Sequence, residues 1–188
     1  MAIKVKAIIG STSSASFNLK LVEFMKNRYA DQLDITPVRI NDVEMYSIDI
    51  ENNPPENAKK FKEDIKDSDA VLFAVPEYNF SIPGSLKNAI DWLSRGGDFV
   101  IKGKPAFIIG SSVGVLGSVR AQIHLREILS NPGLSPSLLP GNEVYIGSVH
   151  EKINDTGELT DQGTVAFLDS VVKNFVEFYN KTKQLELV

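Results

Sequence analysis

Apolar runs of four to eight residues alternate along this chain with stretches of helical period, and that alternation restricts the architecture more than any other feature of the sequence. Runs of this length suit strands buried on both faces, and separating them by helices is the pattern of crossover units on a parallel sheet. Five strands are expected: Ile3 to Ile9, Asp34 to Ile40, Ala70 to Val75, Ala106 to Gly110 and Glu143 to Ile146. Between them Leu86, Ala89, Ile90 and Leu93 recur at i, i+3, i+4 and i+7, and Leu168, Val171, Val172 and Phe175 repeat the spacing near the C-terminus. Further helices are expected at Phe17 to Tyr29, Glu56 to Lys66 and Val119 to Leu129, the last ended by Asn131-Pro132-Gly133. Five strands and five helices account for one domain over residues 1–188. The segment Asn41 to Pro55 is long for a connection inside such a unit, and loops of that length tend to be functional or mobile.

Composition narrows the function classes. Twenty Lys and Arg against 24 Asp and Glu give a net charge of -4, which disfavours a phosphate-backbone binder. There is no cysteine, so no disulfide framework, thiolate chemistry or thiolate-type zinc site is expected, and no metal site is assigned. The N-terminus has alternating charge rather than the pattern of a signal peptide, and no apolar stretch approaches the ~20 residues that span a bilayer. The expectation is a cytoplasmic protein with neither nucleic-acid nor membrane partners.

Ligands of an open α/β sheet bind beyond the carboxyl ends of its strands, where the strand order reverses. Three unusual loops fall there. After strand one, Gly10-Ser11-Thr12-Ser13-Ser14-Ala15-Ser16-Phe17-Asn18 packs five hydroxyls and an amide into nine residues before a helix. One of those groups suffices for an N-cap. The density fits a phosphate held by hydroxyls, backbone amides and a helix N-terminus. The Lys-Ser/Thr of a P-loop is missing, which argues against nucleoside triphosphate hydrolysis. After strand three, Pro76-Glu77-Tyr78-Asn79-Phe80-Ser81-Ile82-Pro83-Gly84 lies between two prolines. Pro76 cannot extend the strand ladder and Pro83 presets a helical first turn, so the stretch is displayed and stiff. Its acid, ring and amide can meet a planar heterocycle, although a half-buried tyrosine with a bonded hydroxyl is also a common structural element. After strand four, Gly110-Ser111-Ser112-Val113-Gly114-Val115-Leu116-Gly117 is a near miss to the dinucleotide fingerprint. Its glycines permit close approach of a flat ligand or serve a tight turn. A phosphate cradle and two loops for a flat ring describe a mononucleotide, with FMN the natural candidate; in flavodoxin this cofactor lies at the switch point of a 2-1-3-4-5 sheet.

At these residues the chain resembles the NAD(P)H-dependent FMN reductase family, flavodoxin-like enzymes that include quinone, chromate and azo-dye reductases. The resemblance rests on residues 10–18, on the twenty consecutive positions from Pro76 to Arg95 and on residues 110–126, and it runs over nearly the whole chain. It implies a flavodoxin-like five-stranded parallel sheet of order 2-1-3-4-5 with helices on both faces. It further implies that Ser11, Ser13, Ser16 and Asn18, with Phe17 beside them, hold the FMN phosphate. Pro76, Glu77, Tyr78 and Asn79 would contact the isoalloxazine and ribityl region, and Ser111, Ser112 and Gly114 would flank the ring. One departure stands out: family members often carry an arginine where Ser13 stands, so the phosphate charge is expected to be less well neutralised. The family is usually dimeric or tetrameric with the flavin near the interface, which implies a homodimer or homotetramer, and Asp91, Trp92 and Arg95 fall in the helix that commonly contributes there.

In flavin chemistry the cofactor carries the redox step, so no side chain is assigned as acid or base. NAD(P)H is the expected co-substrate, and a quinone, flavin, azo compound or chromate the expected small-molecule acceptor, in ping-pong order. An electron carrier that receives electrons from a partner protein, and a nucleotide sensor without redox chemistry, are the alternatives. His124 and His150 are expected to have surface or satisfied roles. Arg120 and Arg126 could meet a pyridine-nucleotide phosphate or be solvated helix positions, Lys87 is expected to cover apolar surface with its stem, and the charge run Lys59 to Asp64 is expected to be an exposed helix face.

Overall fold

In the computed structural model, which describes residues 1–154 and 156–185, the predicted alternation becomes a parallel sheet flanked by helices. The strands are β1 (Ile3–Ile9), β2 (Leu33–Arg39), β3 (Ala70–Ala74), β4 (Pro105–Ser111), β5 (Ser137–Leu138) and β6 (Val144–Ile146). The helices are α1 (Phe17–Arg28), α2 (Glu56–Lys66), α3 (Gly84–Leu93), α4 (Val119–Leu129) and α5 (Gln162–Leu185). The sheet runs β2-β1-β3-β4-β5, every pairing is parallel, and β6 also pairs with β4. The chain reverses direction across the sheet at β1 and β3, so the 2-1-3-4-5 order and its switch point are as expected.

The fifth strand differs from expectation. The sequence predicts one segment, Glu143 to Ile146, but the sheet has a sixth strand: Ser137–Leu138 pairs with the start of β4 and Val144–Ile146 with its end. Pro140, which has no N–H, and Gly141, at φ 67°, turn the chain out between them. The other ends move by one residue, β2 and β4 starting earlier and β3 stopping before Val75. Helix α1 stops at Arg28, with Tyr29 as its C-cap donating its N–H to the Met25 carbonyl.

Period-two alternation divides the core between the two faces. Val5, Ala7, Ile9, Leu72 and Phe107 face α1 and α5, where Phe107 and Phe175 meet with ring centroids 4.3 Å apart. Ile8, Val71, Phe73 and Ile108 face α2, α3 and α4, where Phe61, Ile65, Leu86, Ile90 and Leu125 are buried. Every residue of β3 and β4 is buried, which explains why these two strands read as unbroken apolar runs.

The long loop after β2 is anchored. Trp92 Nε1 and Asn88 Nδ2 both donate to the Glu44 carbonyl, at 2.7 and 3.0 Å, and Asn88 Oδ1 accepts from the Tyr46 N–H at 2.7 Å. The Glu44 carboxylate in turn accepts from Asn57 Nδ2 and the Ala58 N–H at the start of α2. Trp92, expected on a helix that serves a subunit interface, is 1% exposed and holds a loop of its own chain. Lys62 also corrects an expectation. In the charge run read as a solvated face, its ammonium bonds Asp98 Oδ1 at 2.7 Å and the Arg95 carbonyl at 2.6 Å, while Phe61 points into the core.

Candidate active site at the carboxyl edge

The bend after β1 is built from its own hydroxyls. Ser11 Oγ accepts from the Ser13 N–H, Ser13 Oγ from the Ala15 N–H, and Ser16 Oγ from the Leu19 N–H, the last as N-cap of α1. A serine oxygen that accepts from backbone keeps its own proton to donate. Three such donors therefore line a bend that ends at a helix N-terminus, and the tip from Thr12 to Ala15 is exposed.

Asn18, which the resemblance places at the phosphate, lies between the β1 bend and the end of β4. It is 3% exposed, its Nδ2 donates to the Ser111 carbonyl at 3.2 Å, and its Oδ1 accepts from the Ser111 N–H at 3.0 Å. One Nδ2 hydrogen and the Oδ1 of this amide join the β1 bend to the end of β4. The Ser111 hydroxyl, itself buried, has no hydrogen-bond partner among the described residues.

The stretch after β3 closes into a tight hairpin. Tyr78 and Ser81 exchange both backbone hydrogen bonds, at 2.9 and 3.0 Å, and Asn79 and Phe80 sit at φ 49° and 65°. Two left-handed central residues make a primed turn, easy for asparagine and strained for phenylalanine. The strained Phe80 ring is exposed, with the Arg120 guanidinium 4.1 Å above it. Tyr78 is 52% exposed at the same edge, and Pro76 is buried beneath it. Glu77 reaches across to α4, where its Oε2 accepts from the N–H groups of Arg120 and Ala121 at 3.0 and 3.3 Å. It caps a helix whose N-cap, Ser118, is left-handed and makes no side-chain cap of its own.

At the end of β4 and in the loop after it the glycines separate by use. A Cβ on Gly110 would lie 2.0 Å from Ser118 Oγ and 2.5 Å from the Val75 carbonyl oxygen, and one on Gly117 2.5 Å from the Tyr145 backbone. Those two glycines serve packing. Gly114 would meet only Ser112 Oγ, at 3.5 Å, so its missing side chain leaves the edge open. Ser112 is tied down through its N–H to the Ile146 carbonyl and its own carbonyl from the Val149 N–H.

Two anchors of this edge carried no recognised signal in the sequence. Arg39 Nη2 donates to the carbonyls of Thr12 and Ser13 at 3.1 and 3.2 Å, and Asn41 Nδ2 donates to the Thr12 carbonyl at 2.8 Å. A charged residue ending an edge strand looks solvated until the fold shows what lies beside it. Of the remaining candidates, His124 Nδ1 lies 3.0 Å from Ser81 Oγ, and Lys87 pairs with Asp91 at 2.6 Å. Arg126 lies 3.8 Å from Glu143 rather than at the edge. A groove of about 740 Å³ between α1 and residues 156–162 shares no lining residue with the three loops.

A sheet of this order, with these loops at its switch point, is the architecture of a flavodoxin-like nucleotide-binding protein. The family described as NADPH-dependent FMN reductase matches residues 3–151. The chain is 39% identical over 186 residues to the NADH-dependent flavin reductase subunit 2 of Lactobacillus johnsonii, covering 97% of this chain and 100% of that protein. It is 35% identical over 185 residues to the quinone reductase of Escherichia coli K12, covering 96% and 97%. Among solved structures it is similar to FerB, a flavoenzyme NAD(P)H:(acceptor) oxidoreductase from Paracoccus denitrificans, with TM-score 0.87, 36% identity and coverage of 96% and 99%. The chain belongs to the NADPH-dependent FMN reductase family, enzymes that use FMN as cofactor and NAD(P)H as co-substrate.

Proposed function

We propose that this chain is a cytoplasmic reductase that carries hydride equivalents from NAD(P)H through FMN to quinones, or to flavin, azo or chromate acceptors, in ping-pong order. The observation that carries the reading is the joining of the three loops into one rim. Asn18 binds the first to the third through Ser111, and Glu77 binds the second to the third through the start of α4. Preorganisation of this kind lets a site hold a ligand without ordering cost at the moment of binding.

Within that rim the hydroxyls of Ser11, Ser13 and Ser16, beside Phe17, would hold the phosphate. Pro76, Tyr78, Asn79, Ser112 and Gly114 would line the ring, while Asn18, Glu77 and Ser111 position the loops. When bound, FMN would supply the two-electron redox chemistry between NAD(P)H and the acceptor. The chain's part is to fix the cofactor and leave one face open. The edge above the rim is apolar and exposed, with Val113 at 61%, Val115 at 82% and Leu116 at 51%. A surface of that kind suits flat acceptors of several types, and with Phe80 and Ile123 it also suits burial against a second copy in a homodimer or homotetramer.

Initial rates measured with NADPH and a benzoquinone, each varied against the other, test the reading. Parallel double-reciprocal lines are expected. Lines that converge mean both substrates are bound together, and the ping-pong order is then wrong.

A further inference from the structure

From Gly10 to Leu19 the chain has no charged residue, so the bend proposed to hold a phosphate dianion brings no cation of its own. Lys20 follows in α1, but its stem lies toward Gly157 and its ammonium sits 5.4 Å over the Phe17 ring. The cation bonded to the bend comes from the neighbouring strand. Arg39 ends β2 in register with Ile9, the last residue of β1. That register brings its guanidinium to the carbonyls of Thr12 and Ser13, while Nε donates to Asn41 Oδ1 at 3.1 Å. Asn41 grips the same Thr12 carbonyl, so the guanidinium is fixed against the bend at the exposed edge of the sheet. A guanidinium fixed in this way is permanently charged, and it lies against the wall of a bend whose hydroxyls and helix N-terminus already favour an anion.

We infer that Arg39 is the cation answering the 5′-phosphate of FMN in this chain, delivered to the cradle from β2. The inference rests on the placement of FMN proposed above. It assigns Arg39 a positioning and electrostatic role toward the phosphate and none toward the flavin ring. Riboflavin, which has the same ring and no phosphate, is therefore the discriminating probe.

The experiment titrates FMN and riboflavin into flavin-free full-length protein by fluorescence quenching. Arg39→Gln is expected to weaken FMN on the order of 10- to 100-fold and riboflavin by less than about twofold. Arg39→Lys is expected to keep most of the FMN affinity. Adding Ser13→Arg to Arg39→Gln puts a guanidinium at a residue whose carbonyl Arg39 contacts, and is expected to recover FMN affinity to within about fivefold. In the unaltered protein, FMN affinity is expected to fall more steeply with potassium chloride than riboflavin affinity, a readout that does not depend on any variant folding. Equal loss of both flavins in Arg39→Gln reduces Arg39 to a brace of the loop and overturns the inference. So does an unchanged FMN affinity, a defect confined to the KM for NADPH, or identical salt dependence for the two flavins. Failure of the unaltered protein to bind either flavin sinks the FMN placement itself, a result distinct from all of these.

Discussion

The bends after β1 and β4 look alike in sequence, each a short run of serine and glycine between a buried strand and a helix, yet their amides are satisfied by opposite means. The first satisfies its amides within itself, through Ser11, Ser13 and Ser16. The second is satisfied from elsewhere in the chain. Its helix is capped by Glu77, and Gln122 bonds Ser118 and the Val144 carbonyl. Its backbone is paired to Ile146, Ser148 and Val149, and two of its glycines make room for neighbouring atoms. A bend whose amides are held by its own hydroxyls can present donors to a ligand; a bend stitched to its neighbours can hold a flat surface in place.

The strongest test of this contrast is Gly110→Ala. With its Cβ placed 2.0 Å from Ser118 Oγ and 2.5 Å from a backbone oxygen, overpacking is expected to cost about 3 kcal/mol or more, a fall in Tm of roughly 6–12 °C by calorimetry. Gly114→Ala, in the loop that follows β4, is expected to stay within about 0.5 kcal/mol. Equal effects at the two positions would break the division between packing glycines and the open one. Next in size is Asn18→Ala, which leaves the Ser111 N–H and carbonyl without their buried partner. Urea unfolding of flavin-free protein is expected to show a loss of about 2–3 kcal/mol, far above the value for an ordinary helix-start residue. The smallest effects sharpen the comparison most. Glu77→Ala is expected to cost about 1–2 kcal/mol and Ser16→Ala about 1 kcal/mol, each removing a helix cap. They should part in binding: loss of Glu77 loosens the rim and weakens FMN and riboflavin alike, whereas loss of Ser16 weakens FMN alone. A reversal of that pattern would mean that the roles of the two bends have been exchanged.

Much of this was legible because it is local. Strands buried on both faces announce themselves as apolar runs, and the order of the sheet followed from a resemblance carried by residues 76–95. In the first bend the sequence calls for one N-cap, and the structure uses three hydroxyls, Ser11, Ser13 and Ser16, as local turn and cap acceptors across two or three residues. What escaped notice is tertiary. Asn18 looks like any polar helix start until Ser111, 93 positions away, is seen beside it. Glu77 looks like a ligand contact until the uncapped start of α4 appears. Ser137–Leu138 is too short and too polar to register as a strand, and only its pairing with Pro105 and Ala106 makes it one. Arg39 and Trp92 likewise acquire meaning from loops that the chain reaches by a different route.

The interruption at Pro140 and Gly141 has a consequence for behaviour in concentrated solution. A long uninterrupted outer strand offers its unpaired amides and carbonyls as a rail along which another molecule can align. On this side of the sheet the rail is cut into pieces of two and three residues, so a passing chain finds nowhere to run in register. The break thus leaves this edge a poorer template for an added strand than an unbroken one would be.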